Sequence, residues 1–230
     1  MLLINSNRLG ESALNKMAEF AFASQINTAE QLTVRVKTNP GLLAQGELES
    51  LHIDGVGLVM RQDLRLEQMQ LQMTGIRVKP FKALLGNIEL AQPSHGRGCM
   101  VLTDQDFQGA FHSPDLGHCL TALGYSRTEI HTQLQANGTL NMTLSGAEIP
   151  ATTWQFLPTI RPNGGVLLTA QSSIAPALQP LAELLRTQGE AVFNLRRFEL
   201  KGLKFIIAGL TVQQGLVTLE AIAAMTEFPA

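Results

Sequence analysis

The sequence predicts an α+β fold: a long, strongly twisted and bulged antiparallel sheet curling around helices and built from two related halves. Three observations carry this. Apolar residues alternate with polar ones along several stretches, the period of a half-buried strand. A few shorter segments switch to helical spacing between cap and stop residues. One stretch also returns. LRLEQMQLQMTGIRV (Leu64 to Val78) aligns without a gap with FELKGLKFIIAGLTV (Phe198 to Val212), pairing Met69 with Leu203, Leu71 with Phe205, Met73 with Ile207 and Gly75 with Gly209.

In chain order, residues 10–25 read as a helix. Ser12 is the cap, and Ala13, Met17, Phe20 and Ala21 form a stripe that Leu14, Ala18 and Phe22 widen. A stripe this broad docks in the core or lies on a membrane or partner surface, and its low lysine content favours the core. Leu32, Val34 and Val36 then alternate with Thr33, Arg35 and Lys37, and Asn39-Pro40-Gly41 is turn chemistry. Leu48 shares a face with Leu51 and Ile53 only if one extra residue lies between them. The same slip separates Leu66 from Met69 and Leu200 from Leu203. Bulges absorb such slips and bend the sheet.

Pro80 ends the next strand. Phe81 to Gly86 reads as a helical turn, Ile88 and Leu90 as extended chain, Gln92 to Gly96 as a loop and Cys99 to Leu102 as a strand. Thr103 caps a helix whose first turn holds Asp104 and Asp106, where carboxylates suit the positive end of the dipole. Pro114 starts another, with Leu116, Cys119, Leu120 and Leu123 as its stripe and Gly124 as its stop. Strands return over residues 130–170. Pro176 to Arg186 is helical, with Ile174, Leu178, Leu181 and Leu185 on one face and Gly189 as the stop. The last two strands run over about 190–208 and 210–224. No low-complexity linker divides the chain, so residues 1–230 read as one domain: the N-terminal helix at 10–25, then a curved sheet over 31–230 with helices near 104–123 and 176–188.

Composition narrows the function. In 230 residues, 17 Lys and Arg face 19 Asp and Glu, which gives no bulk attraction to nucleic acid. One Trp and one Tyr make no base-stacking platform. The start MLLINSNRLGES lacks the basic and apolar regions of a signal peptide, and no run of apolar residues spans a bilayer. The expected location is the cytoplasm or the periphery of a membrane. Two cysteines, Cys99 and Cys119, read as reduced buried thiols. The five histidines have no i, i+4 pair and no HExxH, no G-x-S-x-G elbow occurs, and Gly55-Val56-Gly57 and Gly96-Arg97-Gly98 form no phosphate loop. Asp104 and Asp106 are explained by capping rather than by acid–base work. No enzyme, metal or cofactor is expected.

Two features are less plain. Arg196, Arg197, Lys201 and Lys204 stand among apolar residues, either as a solvated strand face or as a basic rim for lipid headgroups. Trp154 beside Phe156 and Pro158 is core packing or a tip at a membrane interface. The strand faces use Leu, Phe and adaptable Met, which suits helices or acyl chains lying against them.

The stretch from Val34 to Pro80, with LLGNIELAQP and VLTDQDFQGAF after it, resembles the LmeA-like phospholipid-binding family, and the flavour is similar to its cyanobacterial members. The match rests on Gly46 and the strand after it, the L-x-L-x-x-M-x-L run at Leu64 to Leu71 and the T-x-x-D-F helix start at Thr103 to Phe107. The resemblance implies a domain similar to tubular lipid-binding proteins that binds phospholipids, acidic ones above all, without catalysis. It carries over no defined set of binding residues. Joined with the pattern of residues, it yields acyl-lining candidates Leu66, Met69, Leu71, Met73, Leu200, Leu203, Phe205 and Ile207. The headgroup or membrane-contact candidates are Arg196, Arg197, Lys201, Lys204 and Trp154. The expected partner is a phospholipid or a membrane surface, with transfer of the lipid as a further role. The alternative is a protein-interaction module whose sheet is filled by its own helices.

Overall fold

Ten strands fall into two antiparallel sheets, and helices join and cover them. The computed structural model describes residues 15–60, 64–79, 82, 89–112, 114–125, 128–146 and 149–228. The expected cap Ser12, the helical turn at 81–86 and the extended Ile88 lie outside those residues, apart from Lys82. By contacts the chain forms two compact units. Unit 1 holds residues 1–100, 196–206 and 220–230; unit 2 holds 101–195 and 207–219.

The six-stranded sheet has the order β1 (Gln31–Lys37), β2 (Glu47–Val59), β3 (Arg65–Arg77), β4 (Ser94–Thr103), β10 (Leu216–Met225), β9 (Leu203–Gln213). In unit 1, helix α1 (residues 15–23) docks through Ala18 and Phe22, both fully buried, and Phe22 meets Phe228 edge-on at 5.8 Å. Phe20, read as part of the same stripe, is 78% exposed. The helix and the turn after it touch both ends of the strand order. Asn15 Oδ1 accepts the Val36 N–H of edge strand β1 at 2.6 Å, and Gln25 Oε1 accepts the N–H of Lys201, just before β9, at 2.5 Å. Asn39 caps the short helix α2 (Pro40–Ala44), where the sequence places a turn.

The face changes expected at Leu48–Leu51 and Leu66–Met69 are present, but not as one-sided bulges. The β2–β3 register never shifts: Leu48 opposes Ile76, Leu51 opposes Met73, Gly55 opposes Met69 and Leu58 opposes Leu66. Both strands take the extra residue at the same level. The ladder skips only Glu49 with Gly75 and Gly57 with Glu67, and both glycines have φ near +60° (62° and 57°). That conformation steps the pleat where an L side chain would resist. A one-sided register shift does occur in unit 2, between Leu144 and Gly146. Gly96 and Gly98, expected in and beside a loop, lie inside β4. A Cβ on Gly96 would sit 2.3 Å from the Gln72 carbonyl oxygen, so close strand approach explains it.

Unit 2 contains a four-stranded sheet in the order β5 (Thr128–Leu134), β6 (Leu140–Gly146), β7 (Ile149–Ile160), β8 (Val166–Ala170). Ser145 and Gly146, expected as a turn, end β6. Three helices belong to this unit: α3 (Asp104–Ala110), α4 (Pro114–Ala122) and α5 (Gln179–Val192). Thr103 and Asp106 form a capping box on α3. Side chains from helices also satisfy both sheet edges, which would otherwise offer free N–H groups to another chain. On β5, Asp104 Oδ1 accepts the Leu134 N–H at 2.6 Å and Gln108 Oε1 accepts the Thr132 N–H at 2.7 Å. On β8, Glu190 Oε1 accepts the Leu168 N–H at 3.0 Å. Glu190 is itself held by Arg186 and Arg161 (2.5 and 3.2 Å), and the bond to Glu183, with Glu190 beside it, raises the Arg186 pKa.

Several boundaries move. Gly189 does not stop α5, which runs on to Val192. It is buried, and a Cβ there would meet Met142 Cε at 2.5 Å and Leu168 Cδ1 at 2.6 Å. Its role is close packing of the helix on the sheet. The span 190–202 holds the end of α5 and a 3-10 turn at Leu195–Phe198, so β9 begins only at Leu203. The last hairpin turns at Gln214–Gly215, not near residue 209. Cys119 is exposed, not buried; Cys99 is half-buried, and burial, aided by the nearby Glu220 charge, raises its thiol pKa.

Candidate functional site

The acyl-lining candidates occupy the buried face of two strands. Leu66, Met69, Leu71 and Met73 lie on β3; Leu203, Phe205 and Ile207 lie on β9, and Leu200 folds back to bridge with Leu203. In the strand order β4 and β10 stand between the two sets. All eight side chains are 5% exposed or less, covered by atoms of the protein itself. Seven belong to unit 1, and Ile207 to unit 2.

The cationic candidates surround the start of β9 in unit 1. Arg196, Lys201 and Lys204 are exposed; the side chain of Arg197 lies outside the described residues. Arg196 sits on the 3-10 turn, Lys201 in the tight turn that Gly202 makes at φ 78°, and Lys204 on the outward face of β9. Beneath Lys201, Gln25 accepts its backbone N–H, while the Gln25 Nε2 is buried without a protein partner among the described residues. Trp154 departs from this group. It lies on β7 opposite Met142, in unit 2, and is 3% exposed. The alternation that places Trp154 and Phe156 on the buried face leaves the indole no surface to offer a membrane, so Trp154 is a packed side chain.

Sequence reasoning passed over Ile206 and Ile222, which are 57% and 50% exposed on β9 and β10. The signal was the run Phe205-Ile206-Ile207: in an alternating strand, three apolar residues in a row must turn one outward.

Two depressions are lined by described residues. One, of about 550 Å³ in unit 2, is bounded by Phe111, His112, Leu120, Glu129, Ile130 and His131, with His131 3.7 Å from Glu129. The other lies over β2 and β3, against Asp54, Gln68 and Gln70. Neither contains an activated nucleophile. Among the described residues no three His, Cys, Asp or Glu side chains gather as metal ligands, and no helix is long and apolar enough to cross a membrane.

No curated protein and no solved structure matches the chain. A family model does, over residues 6–222, nearly the whole length. It spans the apolar strand faces, the capped helix α3 and the cationic start of β9, and on that match the chain belongs to the LmeA-like phospholipid-binding family.

Proposed function

We propose that this protein binds membrane phospholipids without transforming them, favours acidic headgroups, and passes the lipid between membranes. The family match over residues 6–222 is the observation that carries this reading. The acyl chains would lie against the Met and Leu face of β3 and its counterpart on β9. Because those side chains are covered here, loading requires them to move, and Met69 and Met73 are the adaptable members of the set. Arg196, Arg197, Lys201 and Lys204 would meet the phosphate, and the unpartnered Gln25 Nε2 gives a neutral donor beside Lys201. Organic extraction of the purified protein followed by mass spectrometry tests the reading. Co-purified phospholipid at near-stoichiometric amount is expected, and replacing Met73 with Trp should reduce it. A lipid-free protein that also ignores anionic vesicles would sink the idea.

A second reading has its own observation. The eight side chains are already filled against their neighbours, as in an interaction module that takes no ligand. Recovery of one stoichiometric protein partner with no lipid would favour it.

A further inference from the structure

We propose that the outward face of β9, β10 and β4 in unit 1 is the surface on which this protein docks to an anionic lipid bilayer, with Ile206 and Ile222 inserted among the acyl chains and Arg97 and Lys204 at the phosphates. The inference rests on the phospholipid reading above and adds to it the surface that reaches the membrane.

The residues come together by strand register. The Thr226 N–H donates to the Gly202 carbonyl at 2.8 Å, and counting inward along the antiparallel pair sets Lys204 beside Ala224 and Ile206 opposite Ile222. On the other side of β10, a Cβ on Gly98 would lie 3.8 Å from the Ala221 Cβ. Arg97 and Cys99, its chain neighbours, therefore face the same way as Ile222 and Glu220. The Glu220 charge acting on the Cys99 thiol agrees with that register. Ile222 is thus flanked by Ile206 and Arg97 in one row across three strands.

Burial confirms the sidedness. Gly98, Ala221, Ala223 and Phe205 are buried, while Arg97, Lys204, Ile206 and Ile222 are exposed. Two β-branched side chains half or more exposed on neighbouring strands make a continuous apolar spot. Charge decides between a membrane and a neutral partner. Lys37, Arg65, Arg77, Lys79, Arg161 and Arg186 are neutralised by carboxylates. Arg97, Lys201 and Lys204, around the isoleucines, show no ion pair among the described residues. Glu227 beside Gly202 and Glu199 two residues before Lys201 stand at the turn, while on the face itself Arg97 and Lys204 stand against Glu220 alone, so the face keeps a positive excess. An apolar centre with cations at its rim is the pattern that binds the headgroup boundary of anionic membranes.

The test is co-sedimentation of the full chain with vesicles of phosphatidylcholine containing phosphatidylglycerol, beside pure phosphatidylcholine. Ile206→Thr combined with Ile222→Thr keeps β-branched residues in both strands and should weaken partition about tenfold, from the apolar area withdrawn. Lys204→Gln should weaken it about fivefold, and only on the anionic vesicles. Binding of a short-chain phosphatidylglycerol below its aggregation concentration is measured in parallel and should be unchanged in the isoleucine variant. Wild-type protein that ignores the anionic vesicles, or variants that bind them as wild type does, would overturn the proposal. A variant that alters only the sedimentation mass would also overturn it, since the face would then serve a second copy. Vesicle binding lost with the isoleucines, in a protein that never takes up the short-chain lipid, would keep the docking surface and remove lipid uptake instead.

Discussion

The two copies of the repeated stretch begin differently and end alike. From Met69 to Val78 the first copy is continuous strand, buried at Met69, Leu71, Met73, Ile76 and Val78. From Leu203 to Val212 the second repeats that order. Leu203, Phe205, Ile207 and Val212 are buried, though Leu210, the counterpart of the fully buried Ile76, is only half-buried. Before this the copies diverge. Gln68 is an ordinary strand residue opposite Val56, whereas its counterpart Gly202 turns the chain at φ 78° and returns Leu200 onto Leu203. A similar apolar pattern therefore fixes which side chains face inward but not where the strand starts. One glycine decides that, and it places Lys201 and Lys204 at a sheet edge instead of in mid-strand.

The largest effect tests whether the shared part is equally important in both copies. Leu203→Ala and Met69→Ala remove matched, buried side chains, and each should cost about 3 kcal/mol by chemical denaturation. A Leu203 cost far below that of Met69 would mean that the second copy is loosely packed despite its pattern.

The divergent part is probed by two glycines that share a positive φ but differ in surroundings. A Cβ on Gly202 would sit 2.4 Å from the carbonyl oxygen of Glu227, whereas one on Gly75 meets nothing within 4 Å. Gly75→Ala carries the backbone penalty alone, about 1 kcal/mol. Gly202→Ala carries the same penalty plus a backbone clash, about 3 kcal/mol in all. Thermal melts of the two variants separate the contributions. Equal losses would show that conformation alone, and not the crowding at Glu227, sets the start of β9.

The same contrast marks how far the sequence could be read. Period-two alternation is local, so the buried faces of β3 and β9 were legible residue by residue, as was the cap at Thr103, whereas the cap at Asn39 read only as a turn. What escaped depends on a partner distant in the chain. Gly189 looks like a helix stop until Met142 and Leu168 are seen pressing on it. Asp104 looks like a first-turn carboxylate, and only the fold brings the Leu134 N–H to it. Trp154 reads first as core and second as a membrane tip, and only β6 lying against β7 decides for the core. Of the site, the cations and the apolar faces were visible in the chain. The row of Arg97, Ile222 and Ile206 was not, because its members come from three strands far apart in sequence.

The smallest effect lies at the other end of the repeat, where Lys79 follows β3 and its counterpart Gln213 is the last residue of β9. Lys79 and Lys82 both bind the Glu89 carboxylate, and these bonds hold its pKa below the ordinary 4.5. A depressed carboxyl stabilises the fold fully above its unfolded value and loses that contribution as pH falls through the lowered folded value. Glu89→Gln should therefore shift the urea midpoint slightly at neutral pH, and the gap to wild type should close well below pH 4.5. Added salt should narrow it too, because the three groups are solvent-screened. Gln213 has no charge to lose, so Gln213→Ala should leave the pH profile of the midpoint unaltered. A Glu89→Gln gap that persists at low pH would show that packing, not charge, ties down the end of β3, and the two copies would then end alike in their energetics as well as in their pattern.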